Sequence, residues 1–380
     1  MEYIDSLYGA WQLPSVITEL IATEPLIRLR GISQDTLPAS ILWYPIPSRF
    51  LHGLGVAFLA HVVCTQNPHL DPYQQLLLTT SSFLHDAGSP AFSHGGERFL
   101  QLFTGKNGEQ FLADILISSD AEQVLTKYDL AIDAVVGMVT GAHLPFAEVL
   151  CGTLDIDNAD NIYRYAVAAN LPIPLYDPQK IAMAFRYCDH QWVFREGASP
   201  EIYRWILSRE KLYRFIYESP RMIVDAMLQR ALTFAYNDGE ISEDFFRLTD
   251  EAAFVWLEQC NPATLYLMTR IRRWQWYERL VCLSFEQDTP LALVDHTRDW
   301  QSRNMLADAI SHDWLRGIRT ERLSLDLGEL PHINSLLIAW LIQVGQAVAP
   351  GRVELVNVHP QAATQLAQLR LTHLLPIVTG

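Results

Sequence analysis

The chain has 380 residues, 49% of them apolar, and a formal net charge of −15. A surface this acidic argues against non-specific binding to nucleic acid or to anionic membranes, but it leaves room for a small phosphorylated ligand in a local basic pocket. The five cysteines (Cys64, Cys151, Cys188, Cys260 and Cys282) are scattered and never form a C-x-x-C pair, which argues against a disulfide framework or a zinc ribbon and for a reducing setting.

In chain order, the opening MEYIDSLYGAW lacks the basic stretch and apolar run of a signal peptide. From Trp11 to about Trp276 the sequence reads almost entirely as helix. Apolar residues recur every three to four positions over residues 50–63, 73–84, 155–169, 202–217 and 221–236. Breaks at Asn67-Pro68, Leu171-Pro172, Asp177-Pro178 and Ser199-Pro200 separate these segments. Beyond Arg279 the texture changes to short β-rich runs at 280–285, 291–294, 323–327 and 353–358, with helical patterns at 297–315, 335–348 and 360–369. Leucines at every second position of 323–327 have the period of a strand with one buried face. The expectation is therefore a mostly α chain: a helical domain over residues 1–278 followed by a small α/β domain over residues 279–380. The longest uncharged apolar run, Leu336 to Val344, is far too short to span a bilayer, so a cytoplasmic protein without membrane association is expected.

The strongest chemical signal is His85-Asp86 in SSFLHDAGSPAFSH, directly after an apolar run that should be a buried helix. A vicinal His-Asp at a helix end can offer an imidazole nitrogen and a carboxylate oxygen to one cation. Mixed N/O ligation suits Fe, Mn, Co, Ni, Zn or Mg. His52, in SRFLHGLGVAFLA, and Asp157, in LDIDNADNIYRYA, each open an amphipathic helix and are candidates to complete the set. Asp157 could equally be a helix N-cap, and Asp155 and Asp160 compete for either role.

The stretches PLIRLRGISQ, YPIPSRFLHGLGVAFLA, FLHDAGSPAFSHGGERF and LDIDNADNIYRYA, followed by SREKLYRFIYESPRMIVDAML and FRLTDEAAFVWL, occur in the same order over roughly residues 15 to 260. Together they resemble the HD-domain deoxynucleoside triphosphate triphosphohydrolases, whose fold is an all-helical HD domain with extra helices. The resemblance implies one divalent metal held by His52, His85, Asp86 and Asp157. It implies that Arg49, Arg164 and Arg209 face substrate, with Arg49 and Arg209 on phosphate, that Tyr217 lines the sugar pocket, and that His94 and Glu97, with Asp86, form the catalytic neighbourhood. It also implies homo-oligomers. His143, in VTGAHLPF, either ends a helix or lines the cleft as a substrate contact.

The sequence departs from that pattern in places. The family's H-D-x-G-H ends here in Ser89, and a second catalytic histidine aligns with Gly108, ahead of Glu109. Asn161 and Tyr165 stand at sugar-reading positions, and Tyr213 stands where a histidine is typical. General acid/base groups contribute on the order of 10²–10⁴-fold each. The expectation is thus a phosphohydrolase with an atypical catalytic shell, acting on a nucleotide or related phosphate ester. The alternative is a weak or inactive nucleotide-binding regulator.

From about Leu280 the chain resembles a STAS domain, in LSLDLGELPHINSLLIAWLIQV and RVELVNVHPQAATQLAQLRLTHLLPIV. That implies a protein partner at this domain. Ser335, near a helix N-terminus, is either a regulatory phosphorylation site or only an N-cap.

Overall fold

A computed structural model describes residues 1–216, 221–276, 291–292, 322–327, 333, 338, 341–342, 344–345, 352–368, 371–372 and 375–378. The chain divides into two compact units: Met1–Ser208 with Met227–Gln275, and Arg209–Ala226 with Trp276–Gly380.

The first unit begins with an antiparallel hairpin, β1 (Glu2–Asp5) and β2 (Gly9–Gln12), in the register Glu2↔Gln12 to Asp5↔Gly9. Helices follow: α1 (Ser15–Leu20), α2 (Glu24–Leu29), α3 (Arg49–Gln66), α4 (Pro72–Leu84), α5 (His94–Thr104), α6 (Gly108–Leu116), α7 (Asp120–Lys127), α8 (Ile132–Val139), α9 (Glu148–Cys151), α10 (Ile156–Ala168) and α11 (Pro178–Ala182). After the hairpin β3 (Phe185–Cys188) and β4 (Gln191–Phe194) come α12 (Ser199–Ile216) and α13 (Arg221–Asn237), each of which runs partly in the second unit, and then α14 (Asp250–Cys260) and α15 (Pro262–Arg272). No described helix is long and apolar enough to cross a membrane.

The helix ends follow from local chemistry. α3 starts at the Ser48 cap and stops at Asn67, ahead of Pro68. Asp71 and Gln74 form a capping box that opens α4, with Pro72 in its first turn. Asp155 caps α10 and Asp177 caps α11. α3 is buried on almost every side, and two glycines let its neighbours approach. A Cβ at Gly53 would stand 2.8 Å from the Phe83 carbonyl oxygen of α4. One at Gly55 would stand 2.1 Å from Asp160 Oδ2 and 2.3 Å from Arg164 Nη2 of α10. Residues 77–84 of α4 are all buried, as the apolar run before His85 implies.

The four strands of this unit depart from the helical reading of the sequence. In β3–β4 the two turn residues, Asp189 and His190, both have positive φ (49° and 60°), the two-residue hairpin geometry that follows the strand twist. Phe185 packs on Phe194 with ring centroids 4.5 Å apart. Asn67 ties the hairpin to the end of α3: its Nδ2 donates to the Phe185 carbonyl and its Oδ1 accepts from Tyr187 N–H.

In the second unit, β5 (Leu291–Ala292), β6 (Arg322–Asp326), β7 (Arg352–Val356) and β8 (Ile377–Val378) pair in parallel in that order, and α16 (Pro360–Gln368) lies between β7 and β8 in sequence. Leu323, Leu325 and Leu327 are buried, the alternation that their spacing predicts. The elements expected at 280–285 and 297–315, most of 335–348, Tyr217 and Ser335 lie outside the described residues.

Candidate metal centre

Three helices bring sequence-distant side chains to one point: His52 from the first turn of α3, His85 at the end of α4 with Asp86 after it, and Asp157 in the first turn of α10. His52 Nε2 lies 2.8 Å from Asp157 Oδ1 and 3.2 Å from His85 Nε2. His85 Nε2 is 3.5 Å from Asp157 Oδ1 and 3.4 Å from Asp86 Oδ2, and that oxygen is 3.8 Å from His52 Nε2. One atom each of His52, His85 and Asp157 lie within 4.8 Å of one another. Donors around one cation at about 2.0–2.2 Å stand roughly 3.0–3.5 Å apart, so these separations suit a shared ion.

The far sides of the rings show which atoms are anchored. His85 Nδ1 must donate to the Ser82 carbonyl oxygen at 2.8 Å, because that oxygen can only accept. His52 Nδ1 donates at 2.8 Å to Asp160, whose carboxylate is ion-paired with Arg164. Both Nε2 atoms therefore face each other and the two carboxylates, and without metal His52 Nε2 donates to Asp157 Oδ1 at 2.8 Å. Asp86 Oδ1 accepts from Arg49 Nη1 at 2.7 Å, while Asp86 Oδ2 is buried with no hydrogen-bond partner among the described residues. That carboxylate oxygen, beside two imidazole nitrogens whose opposite ring nitrogens are already anchored, fits a divalent cation that displaces the protons. In the protein without metal a proton takes that place: burial opposes charge on His85, but Asp86 and Asp157 outweigh it and push the imidazole up to about 10. Burial likewise opposes ionisation of Asp86, yet Arg49 and the two histidines hold it down at about 2.

Beside the cage lies a more open rim. Arg49 is buried, with Nε donating to Ser93 Oγ at 3.0 Å and Nη2 facing His94 Nε2 at 3.5 Å. His94 Nδ1 therefore carries the proton that Glu97 Oε2 accepts at 3.0 Å. The Glu97 carboxylate beside it raises the His94 pKa. His94 is delivered by a strained loop, with Phe92 at φ 64° and Ser93 at φ 49°. Non-glycine residues held in that region cost on the order of 1–3 kcal/mol each. Asp250 of α14 secures the loop by accepting from Phe92 N–H and from both Ser33 N–H and Ser33 Oγ, and Ser93 Oγ donates to the Ser33 carbonyl. Ser89 Oγ turns onto Asp86 Oδ1 at 3.2 Å. Glu109, at the start of α6, reaches solvent, yet desolvation by the surrounding protein and the Glu97 and Asp157 carboxylates push it up to about 7.

The other expected residues fall as follows. Asp155 is the cap of α10, accepting from Asn158 N–H, Asp157 faces the cage and Asp160 supports His52, so the three competing aspartates separate into three roles. Arg164, expected on substrate, is instead buried, with Nε and Nη2 engaged by Asp160 and Nη2 also 3.1 Å from Asp5. With those donors taken up by two buried carboxylates, its guanidinium supports the cage from behind. His143 is exposed beyond the end of α8, its ring against Gly137, and is not part of the metal-competent group. Arg209 is buried in the second unit, 5.7 Å from the Tyr213 ring. Asn161 Oδ1 accepts from Gln34, and Tyr165 is buried with its hydroxyl on Asp35.

Sequence reasoning weighed Asp160 only as a rival ligand or cap, and passed over Tyr8, Ser93 and Asp250. Asp160 had a local signal, three residues after Asp157 and four before Arg164 on one helix face. The others act through contacts distant in sequence.

No known family model matches the chain. It is 26% identical over 229 residues to the uncharacterized protein YwfO of Bacillus subtilis, covering 57% of this chain and 52% of that protein. It is 24% identical over 306 residues to the uncharacterized protein YdhJ of the same organism, covering 78% of this chain and 87% of that protein. Identity to the deoxynucleoside triphosphate triphosphohydrolase SAMHD1 homolog of Dictyostelium discoideum is 23% over 272 residues, covering 65% of this chain and 52% of that protein. The chain thus spans about half the length of YwfO and of the Dictyostelium protein. The crystal structure of a hypothetical protein from Aquifex aeolicus shares the fold, with a TM-score of 0.62 at 22% identity over 72% of this chain and 75% of that one. Taken with the His52–His85–Asp157 group, these similarities support an HD-type protein with a metal-competent centre.

Proposed function

We propose that the chain is a metal-dependent HD phosphohydrolase acting on a nucleotide or a related phosphate ester. The observation that carries this is Asp86 Oδ2, without a hydrogen-bond partner among the described residues, gathered with His52 Nε2, His85 Nε2 and Asp157. His52, His85, Asp86 and Asp157 would hold one divalent ion, and the mixed donor set suits Fe, Mn, Ni, Co, Zn or Mg. Such an ion, when bound, supplies Lewis-acid polarisation of a phosphoryl oxygen and an acidified water. Arg49, whose guanidinium already reaches Asp86, is assigned to phosphate. His94, its Nδ1 pinned by Glu97, offers Nε2 on the open side for proton transfer to or from the substrate. With Ser89, Gly108, Asn161 and Tyr165 at altered positions, dGTP should be a poor substrate beside another nucleotide or phosphoester.

A second reading, nucleotide binding without turnover, is favoured by one feature: the Ser89 hydroxyl is turned onto Asp86, and Gly108 offers no side chain. In either reading residues 279–380 are proposed as a STAS-like module for a protein partner, supported by the parallel order β5-β6-β7-β8. Ser335 would be its regulatory residue and homo-oligomers its setting.

The test joins metal analysis to a phosphate-release screen over nucleotides, for wild type and for the His85→Ala and Asp86→Ala variants. We expect about one metal per chain, lost in both variants together with activity, since each removes a donor. Bound metal with no phosphate release from any nucleotide favours the second reading. Full metal occupancy in the double variant overturns the site.

A further inference from the structure

We propose that the N-terminal hairpin forms the outer wall of the metal cage, with Tyr8 acting through Asp160 to hold His52 in its ligating orientation. The proposal rests on the metal reading above and extends it to residues that touch no ligand.

The Asp160 carboxylate is fully buried and accepts four hydrogen bonds. Oδ1 takes His52 Nδ1 and Arg164 Nε, both at 2.8 Å. Oδ2 takes the Tyr8 hydroxyl at 2.7 Å and Arg164 Nη2 at 3.0 Å. With four donors around it, the carboxylate has no freedom to rotate. Its orientation sets both the tautomer of His52 and the direction of Nε2.

The hairpin is built to deliver that hydroxyl. Asp5 Oδ1 accepts from the backbone N–H groups of Leu7 and Tyr8, closing the turn between β1 and β2, and Gly9 completes it at φ 77°. The Tyr8 ring stacks on Phe58 of α3, with centroids 4.8 Å apart at 16°, and the Arg164 guanidinium carbon lies 5.5 Å from the centroid of the Tyr8 ring. Asp5 also pairs with Arg164 at 3.1 Å, so two hairpin residues meet the two α10 residues that stand behind His52. Gly55 of α3 leaves the space in which Asp160 and Arg164 sit. Tyr8 is thus a positioning residue for a ligand, placed 152 residues from the carboxylate it holds.

Partners that orient a ligating histidine typically change metal affinity by about 10–100-fold when removed. The experiment titrates metal-free full-length protein with cobalt(II), read by its visible absorption, for wild type, Tyr8→Phe, Asp160→Asn and the double variant. Tyr8→Phe keeps the ring on Phe58, and its metal-free fold should match wild type by circular dichroism. We expect it to bind cobalt about tenfold or more weakly. In the Asp160→Asn background the same change should alter affinity by less than about twofold, because Tyr8 acts through that carboxylate. Unchanged affinity in Tyr8→Phe, an equal loss in both backgrounds, or a variant unfolded without metal would each overturn the proposal. Wild type that fails to bind cobalt would instead sink the metal site itself.

Discussion

On the wall built by α3, α4 and α10, His52 and Asp160 are wholly buried, and both far imidazole nitrogens and Asp86 Oδ1 have hydrogen-bond partners. On the wall built by α5 and α6, the His94 side chain is 69% exposed and, among the described residues, bonds to Glu97 and, at 3.5 Å, to Arg49. The difference follows from the cost of burying charge. A buried carboxylate or imidazole must have its complement in place, so altering one residue of the inner wall strands several others. On the open wall water can replace a lost partner, and residue types can change without unfolding the protein. Of the departures from the resembled family, Gly108 lies at the start of α6 beside Glu109, Ser89 stands where the two walls meet, and Asn161 and Tyr165 lie on α10 itself.

The comparison breaks most visibly at His94. Replacing it with Ala should leave cobalt stoichiometry unchanged and reduce phosphate release about 10²–10⁴-fold, the usual contribution of a proton-transfer group. Loss of metal in that variant would mean that the two walls are one unit.

A smaller effect is expected at Asp250, which secures the loop leading to His94. Burial pushes its carboxyl up to about 6, partly offset by the Ser33 and Phe92 N–H groups. A carboxyl raised above its unfolded value is favoured in its protonated form, so its stabilising contribution is present at low pH and fades as pH rises. Between about pH 4 and pH 6 the unfolding free energy of wild type should therefore fall by roughly 2 kcal/mol relative to Asp250→Asn. Denaturant melts of both proteins at pH 4, 5 and 7 read this directly. A pH-independent difference would show that the loop is held by hydrogen bonds alone.

The smallest effect concerns the inner wall's spacing. Gly55→Ala places a methyl group where Asp160 and Arg164 sit, and overpacking of this kind costs typically about 1–3 kcal/mol. We expect a lower melting temperature together with weaker cobalt binding. A variant with lowered stability but full affinity would uncouple the support of His52 from the packing of α10.

Much of the scaffold was legible in the sequence because it depends on neighbours in the chain. The periodicity of residues 50–63, 73–84 and 155–169 gives α3, α4 and α10, and their Ser, Asp and Asn caps place the ends. The alternating leucines of β6 are buried as their period requires. His85-Asp86 at the end of a buried helix was visible for the same local reason. β3 and β4 also carried a local signal, a two-residue loop between aromatic-rich runs, which a helical reading of the whole segment obscured.

The sorting of Asp155, Asp157 and Asp160 into cap, candidate ligand and support was decided only in three dimensions, as was the withdrawal of Arg164 behind the cage. His52 and Asp160 are 108 residues apart, and Ser33 and Asp250 are 217 apart. Periodicity and capping report what a residue does within a few positions of itself. Which ring nitrogen is anchored and which carboxylate is saturated depend on partners that only the packing of distant helices brings within hydrogen-bonding range.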